Sequence, residues 1–593
     1  MKSSVSLLAA AAATGTLASP AVLHFGRANT TTCKVYPDDP AWPTDSRWQA
    51  LNQAVQGRLT KFVPPGAVCY PTYGNASTAN ADACTAVKAN WTNANWIAAV
   101  VDRDCSVDQS AQTFSGFWSN DSCSAGASDN ACGAKTCTQG LSPAMIVTAN
   151  NQFDVQVSVN FARIQNLRLV IRNTGHDYLG RSTGFGSLTL NTHKLNNIQF
   201  LKSYTGPGNY TGGAVKVGAG VLFRDLYPAA KAEGVDIVGA ESLTVGIAGG
   251  YVQGGGHSPL SGLYGLAADN VLAFDAILAS GKQVQINSDN SPDLFWALKG
   301  GGPGNFAAIT AVTFKTHPTV PVTGATLSIP YSQPAFWKAV EALHDQAPAL
   351  VNAGFYVAYS ITKQRGLNVQ PFVAPNMTVN QFKTLTAPLF NQLAALNVTY
   401  SQSTTATTYP TFDDLYQTLF SKSVDAGGDN TLMSGRLLSQ ADITKNGSAI
   451  NGAISALVDA GHVFVGVAVN PGHAVPDPDA SSSAVNPVWR TAATSTFWEY
   501  QPAACLSEAG RQQALQNLTQ LGNALRAASP TSGVYANEGD VNEPNWQQAF
   551  WGSNYAKLVD IKTKYDPTGV FWVPATPGAE QWALVDEKKL CKT

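Results

Sequence analysis

The sequence predicts an α+β protein in which a second α+β domain is inserted into the first. Short apolar runs alternate with helical patterns from Pro143 to Thr316, as expected for strands and helices of one domain. The pattern changes between about Thr319 and Pro530, where longer helical stretches separate the strand-like runs. An amphipathic stretch from Asn545 to Lys564 then predicts a further helix.

The first two predicted strands are Ile146-Val147 and Leu169 to Ile171, which are apolar runs bounded by polar residues. The run from Asp154 to Asn166 between them alternates like a strand and also fits a helix, so its pattern leaves both open. We favour the helix because two parallel strands need a crossover of about this length.

Other elements have clearer signals. Val271 to Asn287 has two apolar runs around Ser280-Gly281-Lys282, which is typical of a hairpin. Ser291-Pro292 predicts the start of a helix that runs to Leu298. The further predicted strands are Ser187–Leu190, Ala214–Val217, Ala307–Thr316, Ala325–Ile329 and Val463–Val469, and the further predicted helices are Phe336–Asp345 and Glu508–Ala528.

Size and composition are those of a globular protein with an ample core. The chain has 593 residues and a mass of 62.3 kDa, with 44% hydrophobic and 13% charged residues. The net charge of -2 and the lack of a basic patch argue against nucleic-acid binding. After the N-terminal leader, no apolar run reaches the roughly 18 residues that a membrane helix needs, so no membrane partner is expected.

Residues 1–21 resemble a secretory signal peptide. Lys2 precedes the apolar run from Leu7 to Ala13, and small residues follow at Ala18-Ser19. Secretion is also indicated by nine Asn-X-Ser/Thr glycosylation signals, too many to dismiss easily as chance. They begin at Asn29, Asn75, Asn90, Asn120, Asn209, Asn376, Asn397, Asn446 and Asn517.

The cysteines predict disulfide bonds rather than a zinc site. No paired Cys-X-X-Cys with a downstream histidine is present, and seven of the nine cysteines precede the first core strand. The odd total leaves at least one thiol without an intrachain partner, and the pairing is not readable. The early cysteines are Cys33, Cys69, Cys84, Cys105, Cys123, Cys132 and Cys137, and the late ones are Cys505 and Cys591.

Several common motifs are missing or lack their context. The chain has no GxGxxG and no P-loop. Gly180 to Gly184 matches GxSxG, but a serine-hydrolase elbow needs a strand directly before the serine and a helix directly after it, and here Gly184-Phe185-Gly186 and a strand follow instead. The eight histidines are scattered without a pair at i and i+4, so no metal is expected.

Two stretches carry the candidate chemistry. In Ile171 to Tyr178, Gly175 allows a turn after a strand and leaves His176 at the strand end, where open sheets place ligands. A structural turn histidine is the alternative. In Gly246 to His257, many glycines expose main-chain N–H groups, which suits a phosphate or a large planar cofactor.

Both stretches, together with Tyr264–Val271 and Asp293–Gly302, resemble the FAD-binding domain of the vanillyl-alcohol-oxidase superfamily. The likeness extends to the secreted fungal FAD-linked oxidases similar to berberine bridge enzyme, including those known as isoamyl alcohol oxidases. The opening Cys33–Pro43 and the C-terminal Trp551–Tyr555 also look like that group. The resemblance therefore runs along most of the mature chain.

The resemblance implies the domain organisation. FAD would lie between the two subdomains of a PCMH-type FAD-binding domain formed by residues 130–318, with a C-terminal part at 531–593 that returns to it. Residues 319–530 would form an inserted α+β substrate-binding domain whose sheet covers the isoalloxazine. Residues 22–129 would be a disulfide-rich N-terminal extension.

The resemblance also implies how FAD is held. The histidine of the Gly-His-Asp segment carries the flavin in this family, so a covalent bond to His176 is expected. Many relatives form a second bond through a cysteine, whose position is Ser242 here. Because serine cannot form a thioether, a single attachment is expected. The other expected FAD contacts are Arg172, Asn173, Thr174, Gly175, Asp177, Tyr178, Thr244, Gly246, Gly249, Gly250, Gly254, Gly255, Gly256, His257, Leu260, Asn270, Val271, Asn554 and Tyr555.

Residues 535–537 resemble the family's Tyr-X-Asn segment, whose tyrosine lies near flavin N5. We expect Tyr535 to act as a base or a proton-holding partner, with Asn537 orienting it. A free tyrosine has a pKa of about 10, so Tyr535 must be made acidic or act in concert with hydride departure. A core tyrosine is the alternative, and Glu538, Tyr178 and His257 are weaker candidates.

The expected function is that of a secreted monomeric oxidase, with an alcohol-type small molecule and O2 as substrates and hydrogen peroxide as product. An enzyme that performs oxidative ring closure or desaturation of a secondary metabolite is the rival within this family. A serine hydrolase and a disulfide-rich binding module are the rivals from other classes.

Overall fold

The computed structural model describes residues 33–93, 96, 116–119, 123, 137–420, 430–475, 482–504 and 506–593. The predicted signal peptide lies outside the described residues, as do Asn29, Asn120, Cys105, Cys132 and Cys505.

A small sheet organises the region before the glycine-rich stretch. Its strands are, in order, Leu59–Lys61, Met145–Thr148, Leu188–Asn191 and Leu169–Arg172; the first pair is antiparallel and the other two pairs are parallel. The two strands predicted as a parallel pair are thus parallel but not neighbours. Leu188–Asn191 lies between them, because strand order depends on long-range pairing that local patterns do not contain.

The ambiguous run between these strands is a helix, Gln152–Ile164, which confirms the favoured interpretation. The Asn151 side chain accepts a hydrogen bond from the backbone N–H of Asp154 and caps it. Val155, Val159 and Ala162 form the buried face at helical spacing, while Phe153 is 57% exposed. The apparent alternation arose because apolar side chains occupy both faces of this helix.

An antiparallel sheet of five strands follows. Its order is Gln283–Asn287, Val271–Leu278, Ala307–Lys315, Tyr210–Gly218 and Ile198–Gly206. The first two strands form the predicted hairpin, and the predicted helix follows as Pro292–Leu298.

A larger antiparallel sheet lies in the second region. Its order is Thr407–Tyr409, Val322–Ile329, Gly366–Pro375, Tyr356–Thr362, Val463–Ala468, Ala492–Tyr500 and Leu432–Ser439. On the strand Tyr356–Thr362, Tyr359 bonds His344 of the helix Phe336–Asn352, whereas Tyr356 contacts the glycine-rich stretch. This sheet therefore has helices on one face and the candidate site on the other. The domain boundaries at 318 and 530 stay predictions.

Two predicted helices are each divided. Gly552, with a φ of 55°, separates Trp546–Trp551 from Tyr555–Tyr565, and Gly522 separates Glu508–Leu521 from Asn523–Ala528. A single helix was wrong at Gly552, because the apolar pattern continues across the break. The helical stretch predicted over residues 508–528 is confirmed, since Gly522 itself has a helical backbone conformation. The remaining α-helices within the described residues are Asp45–Ala54, Ala81–Asn90, Phe223–Ala232, Ser261–Tyr264, Val379–Ala395, Phe412–Leu419 and Gln440–Asp459.

Both ends of the described chain lie next to the small four-stranded sheet that contains Leu169–Arg172. Leu169 forms a bridge with Phe571, and Val35 forms one with Leu167. Disulfide bonds join Cys33 to Cys591, Cys69 to Cys84 and Cys123 to Cys137, which confirms the predicted disulfide use. Across the described ranges, no helix is both long enough and apolar enough to span a membrane. Short strand pairs complete the fold: Thr72–Tyr73 with Ala76–Ser77, Val235–Asp236 with His317–Pro318, and Trp582–Val585 with Lys589–Lys592.

Candidate functional site

His176 lies in the turn after the strand Leu169–Arg172. Gly175 before it has a φ of 82°, in the region that favours glycine, so the chain turns there as predicted. His176 Nε2 lies 2.6 Å from Thr244 Oγ1, and Thr244 Oγ1 lies 3.3 Å from Ser242 Oγ. Thr244 thus fixes the His176 imidazole, and the Ser242 hydroxyl lies within hydrogen-bonding distance of Thr244.

Asn173 packs on the bare main chain at the start of the glycine-rich stretch. Its Nδ2 donates to Thr192 Oγ1 at 3.2 Å and to the carbonyl of Ala219. A Cβ on Gly246 would lie 1.9 Å from Asn173 Oδ1, and one on Gly249 would lie 3.0 Å from its Cγ. Glycine is required at Gly246 for this close approach.

Asn537 packs on the same stretch farther along. Its Nδ2 donates to the carbonyl of Gly250 at 3.0 Å, and a Cβ on Gly254 would lie 2.2 Å from that nitrogen. The main chain from Gly246 to Gly254 is therefore covered by Asn173 at one end and Asn537 at the other. This brings the N-terminal and C-terminal motifs onto one surface.

A hydrogen-bonded chain connects the two predicted motifs. Asn537 Nδ2 donates to Tyr535 Oη at 2.9 Å, and Asn537 Oδ1 accepts from Arg181 Nη2 at 3.3 Å. Arg181 Nε in turn donates to Asp177 Oδ1 at 2.6 Å. Tyr535 is thus connected through two side chains, Asn537 and Arg181, to Asp177, the residue that follows His176. No motif in the sequence marks Arg181 as a residue of the site.

The phenol of Tyr535 is not acidified. Burial, together with the charge of Glu538, raises the pKa of Tyr535 well above its usual value of about 10. Of the two modes expected from the sequence, this direction favours action in concert with hydride departure, and the role of Tyr535 stays a prediction. Tyr535 is protonated at neutral pH, so its hydroxyl hydrogen can be donated.

Next to Tyr535 lies a cluster that sequence reasoning identified only in part. His257 Nε2 lies 3.4 Å from Glu538 Oε1, and His257 Nδ1 lies 3.3 Å from Tyr356 Oη. The Tyr356 hydroxyl donates to the carboxylate of Glu241. Burial lowers the pKa of His257, but the charges of Glu538 and Glu241 outweigh burial and raise it. Tyr356 and Glu241 were missed because no local motif marks a pair 115 residues apart.

The charge and polarity of this surface fit a large polar cofactor. Three buried side-chain atoms on it have no hydrogen-bond partner within the described part of the chain: Asn173 Oδ1, Arg181 Nη1 and Gln253 Oε1. Buried polar atoms normally find partners, so a polar group bound against the glycine main chain accounts for them. The residues present therefore fit FAD.

Other expected FAD contacts have different surroundings. Asn270 Nδ2 donates to the carbonyls of Tyr264 and Leu266, and its Oδ1 lies 2.8 Å from His317 Nε2. Asn554 Nδ2 donates to the carbonyl of Val485 at 2.9 Å. None of these bonds reaches the His176 turn, so FAD contacts by Asn270 and Asn554 stay predictions.

The remaining expected contacts divide by position. Tyr555 donates its hydroxyl to Glu580, away from the turn, and Leu260 and Val271 are core residues. In the turn itself, the fully buried Arg172 donates to the carbonyl of Thr174 at 3.2 Å. The carbonyl of Tyr178 accepts from the indole of Trp118 at 2.9 Å, and Gly255 and Gly256 lie beside Tyr535 and Tyr251.

Two family models match the chain where this geometry lies. The model described as FAD binding domain matches residues 143–287, which include His176 and the glycine-rich stretch. The model described as berberine and berberine like matches residues 534–576, which include Tyr535 and Asn537. The FAD-linked oxidoreductase ZEB1 of Gibberella zeae is 36% identical over 574 residues, covering 95% of each chain.

The chain belongs to the vanillyl-alcohol-oxidase/berberine-bridge-enzyme-like superfamily. It is an FAD-linked oxidoreductase. The bifunctional decalin synthase calF of Penicillium decumbens is 32% identical, with 97% of this chain and 98% of that relative covered.

The superfamily fold is confirmed by a crystal structure, that of the VAO-type flavoprotein MtVAO615 from Myceliophthora thermophila C1. It superimposes with a TM-score of 0.84 at 30% identity, covering 95% of this chain and all of that one. The predicted FAD-binding architecture of α+β type is therefore correct.

Proposed function

We propose that this superfamily member is a secreted oxidase of an alcohol-type substrate: an alcohol, a polyol, a carbohydrate or a related secondary metabolite. When bound, FAD accepts a hydride from the substrate carbon, and O2 then takes the electrons to give hydrogen peroxide. The observation that carries this proposal is the series of hydrogen bonds that runs from Asp177 through Arg181 and Asn537 to Tyr535. It holds a protonated phenol beside the surface that fits FAD.

In this proposal, His176 carries FAD covalently and is its only attachment. The contact with Thr244 supports it, because a fixed imidazole presents the same ring atom to the flavin in every molecule. Ser242 supports the single attachment, because its hydroxyl lies beside Thr244 where relatives supply a thiol. The tether keeps the cofactor on a protein that works outside the cell.

Tyr535 and Asn537 position the substrate oxygen. Asn537 donates to the Tyr535 oxygen at 2.9 Å, so the phenol hydrogen is directed to another acceptor. A substrate hydroxyl or carbonyl oxygen is such an acceptor. Arg181 orients the Asn537 amide by donating to its oxygen. The two residues thereby align the alcohol and stabilise the developing carbonyl.

Secretion is supported by the leader, the disulfide bonds and the accessibility of the glycosylation signals. The seven signal asparagines within the described residues are all exposed or half-exposed: Asn75, Asn90, Asn209, Asn376, Asn397, Asn446 and Asn517. Accessible asparagines on a disulfide-bonded chain are expected of a glycoprotein from the secretory pathway.

A biosynthetic FAD-dependent cyclase or dehydrogenase of a secondary metabolite is the second candidate. It is favoured by the full-length similarity to a relative named as a decalin synthase. Such an enzyme uses the same cofactor as the proposed alcohol oxidase but acts on a different substrate.

Oxygen consumption by the purified protein separates the two candidates. We expect a yellow protein whose colour stays in the acid precipitate, with O2 uptake and equimolar hydrogen peroxide in the presence of an alcohol, polyol or sugar. Bound flavin without O2 uptake on any of these would favour the biosynthetic candidate. A colourless protein that takes up no flavin would contradict both.

A further inference from the structure

We propose that Glu538 accepts the proton of the substrate hydroxyl, and that His257, Tyr356 and Glu241 are positioning residues of a relay that shares this proton. The inference rests on the proposed alcohol oxidation and assigns its base. The residue carrying the reaction base would then be the one that follows the Tyr-X-Asn segment, and its support would come from the sheet of the second region.

The hydrogen bonds of His257 define where protons reside. Tyr356 donates its hydroxyl hydrogen to Glu241, so its oxygen can only accept from His257 Nδ1. On the other side, Glu538 Oε1 faces His257 Nε2 at 3.4 Å. That contact requires one proton, carried either by the imidazole or by the carboxyl. Glu538 and His257 therefore share a proton while Nδ1 keeps its own.

Glu538 has one oxygen left for the substrate. Its Oε2 is buried and has no hydrogen-bond partner within the described ranges, while Oε1 holds His257. A carboxylate oxygen without a donor, beside a tyrosine that donates, is suited to take a proton from an alcohol that Tyr535 holds. Tyr535 itself is unsuited, because burial keeps its phenol protonated and its oxygen already accepts a hydrogen bond from Asn537.

A second histidine on the same sheet shows what the carboxylates contribute. His344 also bonds a tyrosine of the strand Tyr356–Thr362, through Nε2 and Tyr359, but its Nδ1 faces the amide of Asn451. Burial lowers the pKa of His344 to about 4. His257 is similarly buried, yet its pKa is raised. The difference follows from carboxylates in place of an amide.

The step balances without a further reactant. The substrate C–H bond breaks and its electron pair leaves with hydrogen as hydride to FAD, which is reduced by two electrons. The O–H bond breaks, its electron pair becomes part of the new C=O bond, and the proton goes to Glu538 Oε2. The alcohol is oxidised to a carbonyl compound. O2 then reoxidises the cofactor, and the proton leaves with hydrogen peroxide.

The charged and titratable groups around His257 all contribute to the expected pH dependence. They are Glu241 and Tyr251 from the glycine-rich side, Tyr356 from the sheet, Tyr535 and Glu538 from the C-terminal segment, and Arg181 behind Asn537.

The shared proton is tested without substrate, by hydrogen–deuterium exchange at the imidazole C2 position of each histidine, read by peptide mass spectrometry across pH. We expect the His257 midpoint in the flavin-loaded enzyme to lie above the ordinary value of about 6.5. Glu538→Gln should lower it, and Tyr356→Phe should lower it less. His344 is the internal control and should keep its midpoint in both variants. A His257 midpoint that Glu538→Gln does not move would overturn the shared proton.

The base role is tested by anaerobic flavin reduction with a panel of alcohols, polyols and sugars as probes. Glu538→Gln should slow reduction by about 100- to 10,000-fold, as expected for loss of a general base, and Glu538→Asp should restore part of the rate. Tyr356→Phe should shift the pH profile of the rate. Tyr359→Phe, on the same strand but facing His344, and the surface variant Glu341→Gln should leave rate and profile unchanged.

The outcomes distinguish a failure of this inference from a failure of the proposed function on which it rests. Normal reduction in Glu538→Gln, with wild-type enzyme active, overturns the inference and leaves the proposed function standing. If no alcohol reduces the wild-type flavin, the proposed function falls, and the base role falls with it. The exchange measurement still decides whether Glu538 and His257 share a proton.

Discussion

The surroundings of Tyr535 decide its role more than its motif does. A Tyr-X-Asn segment predicts a tyrosine near the flavin but leaves its protonation open. In the folded protein Tyr535 is 4% exposed, and burial outweighs the hydrogen bond that its oxygen accepts from Asn537, so the neutral phenol is favoured. The hydrogen of Tyr535 is then available to a substrate oxygen.

Replacing Tyr535 by phenylalanine tests this donor. We expect flavin reduction by the alcohol probes to slow by about 100- to 1,000-fold, the usual loss on removing one donor to a developing oxyanion. FAD content and thermal unfolding should stay near wild type, because the ring is retained. Tyr400→Phe, at an exposed position, is the control. An unchanged rate constant would exclude Tyr535 from the chemistry.

Asp236 predicts a pH dependence of stability. Burial raises its pKa to about 6, although the N–H of Val320 donates to it. The folded protein then binds this proton more tightly than the unfolded chain does, so the free energy of unfolding falls as pH rises from about 4 to about 6. Above that window the loss is complete.

Asp236→Asn should remove this loss. At pH 7 the variant should be more stable than wild type by up to about 3 kcal/mol, from a shift of about two pKa units. Below pH 4 the difference should vanish. Denaturant unfolding across this range measures it, with Asp225→Asn, an exposed carboxylate, as the control. Equal stability of Asp236→Asn and wild type at both extremes would refute the prediction.

The glycine-rich stretch works as one element. Gly246 and Gly254 bring its main chain against Asn173 and Asn537, which come from opposite ends of the chain. Gly254→Ala should therefore push Asn537 away from Tyr535 and slow flavin reduction by at least tenfold. We expect the oxidase rate constant to fall by a larger factor than the equilibrium constant for folding.

Gly452→Ala is the matched control for this change. It lies in the helix Gln440–Asp459 with nothing within 4 Å of its added Cβ. The higher helix propensity of alanine should stabilise the protein by up to about 1 kcal/mol without affecting the rate. Equal rates in Gly254→Ala and Gly452→Ala would show that Asn537 tolerates displacement.

The sequence predicted elements well where local chemistry decides them. The hairpin from Val271 to Asn287 and the helix at Pro292 were confirmed, because turn and cap residues mark them. The helix predicted from Asn545 to Lys564 was wrong at Gly552, where the apolar pattern continues through a break. An apolar pattern indicates which face of a helix is buried but not where the helix is interrupted.

At the scale of the whole fold, the residues of the candidate site also fall into those that local patterns predicted and those that they did not. His176, the glycines, Tyr535 and Asn537 lie in contiguous motifs and were predicted. Arg181, Tyr356 and Glu241 were not, because their roles arise from contacts between segments 115 to 356 residues apart. Such contacts depend on how the second region closes over the first.

The Cys33–Cys591 bond also acts across the complete fold. It closes a sequence separation of 558, against 15 for Cys69–Cys84. In the chain-entropy account, longer loops contribute more stability. Replacing Cys33 and Cys591 by serine should therefore cost about 2 to 5 kcal/mol of unfolding free energy, and more than the same change at Cys69 and Cys84. Denaturant unfolding of both variants measures this, and the reverse order would contradict it.

Mass spectrometry of the purified, proteolysed protein decides whether FAD is attached at His176. We predict that the peptide containing His176 carries the mass of FAD, that the peptide containing Ser242 is unmodified, and that His176→Ala releases flavin on denaturation. An unmodified His176 peptide from a wild-type protein whose flavin dissociates on denaturation would contradict the covalent attachment.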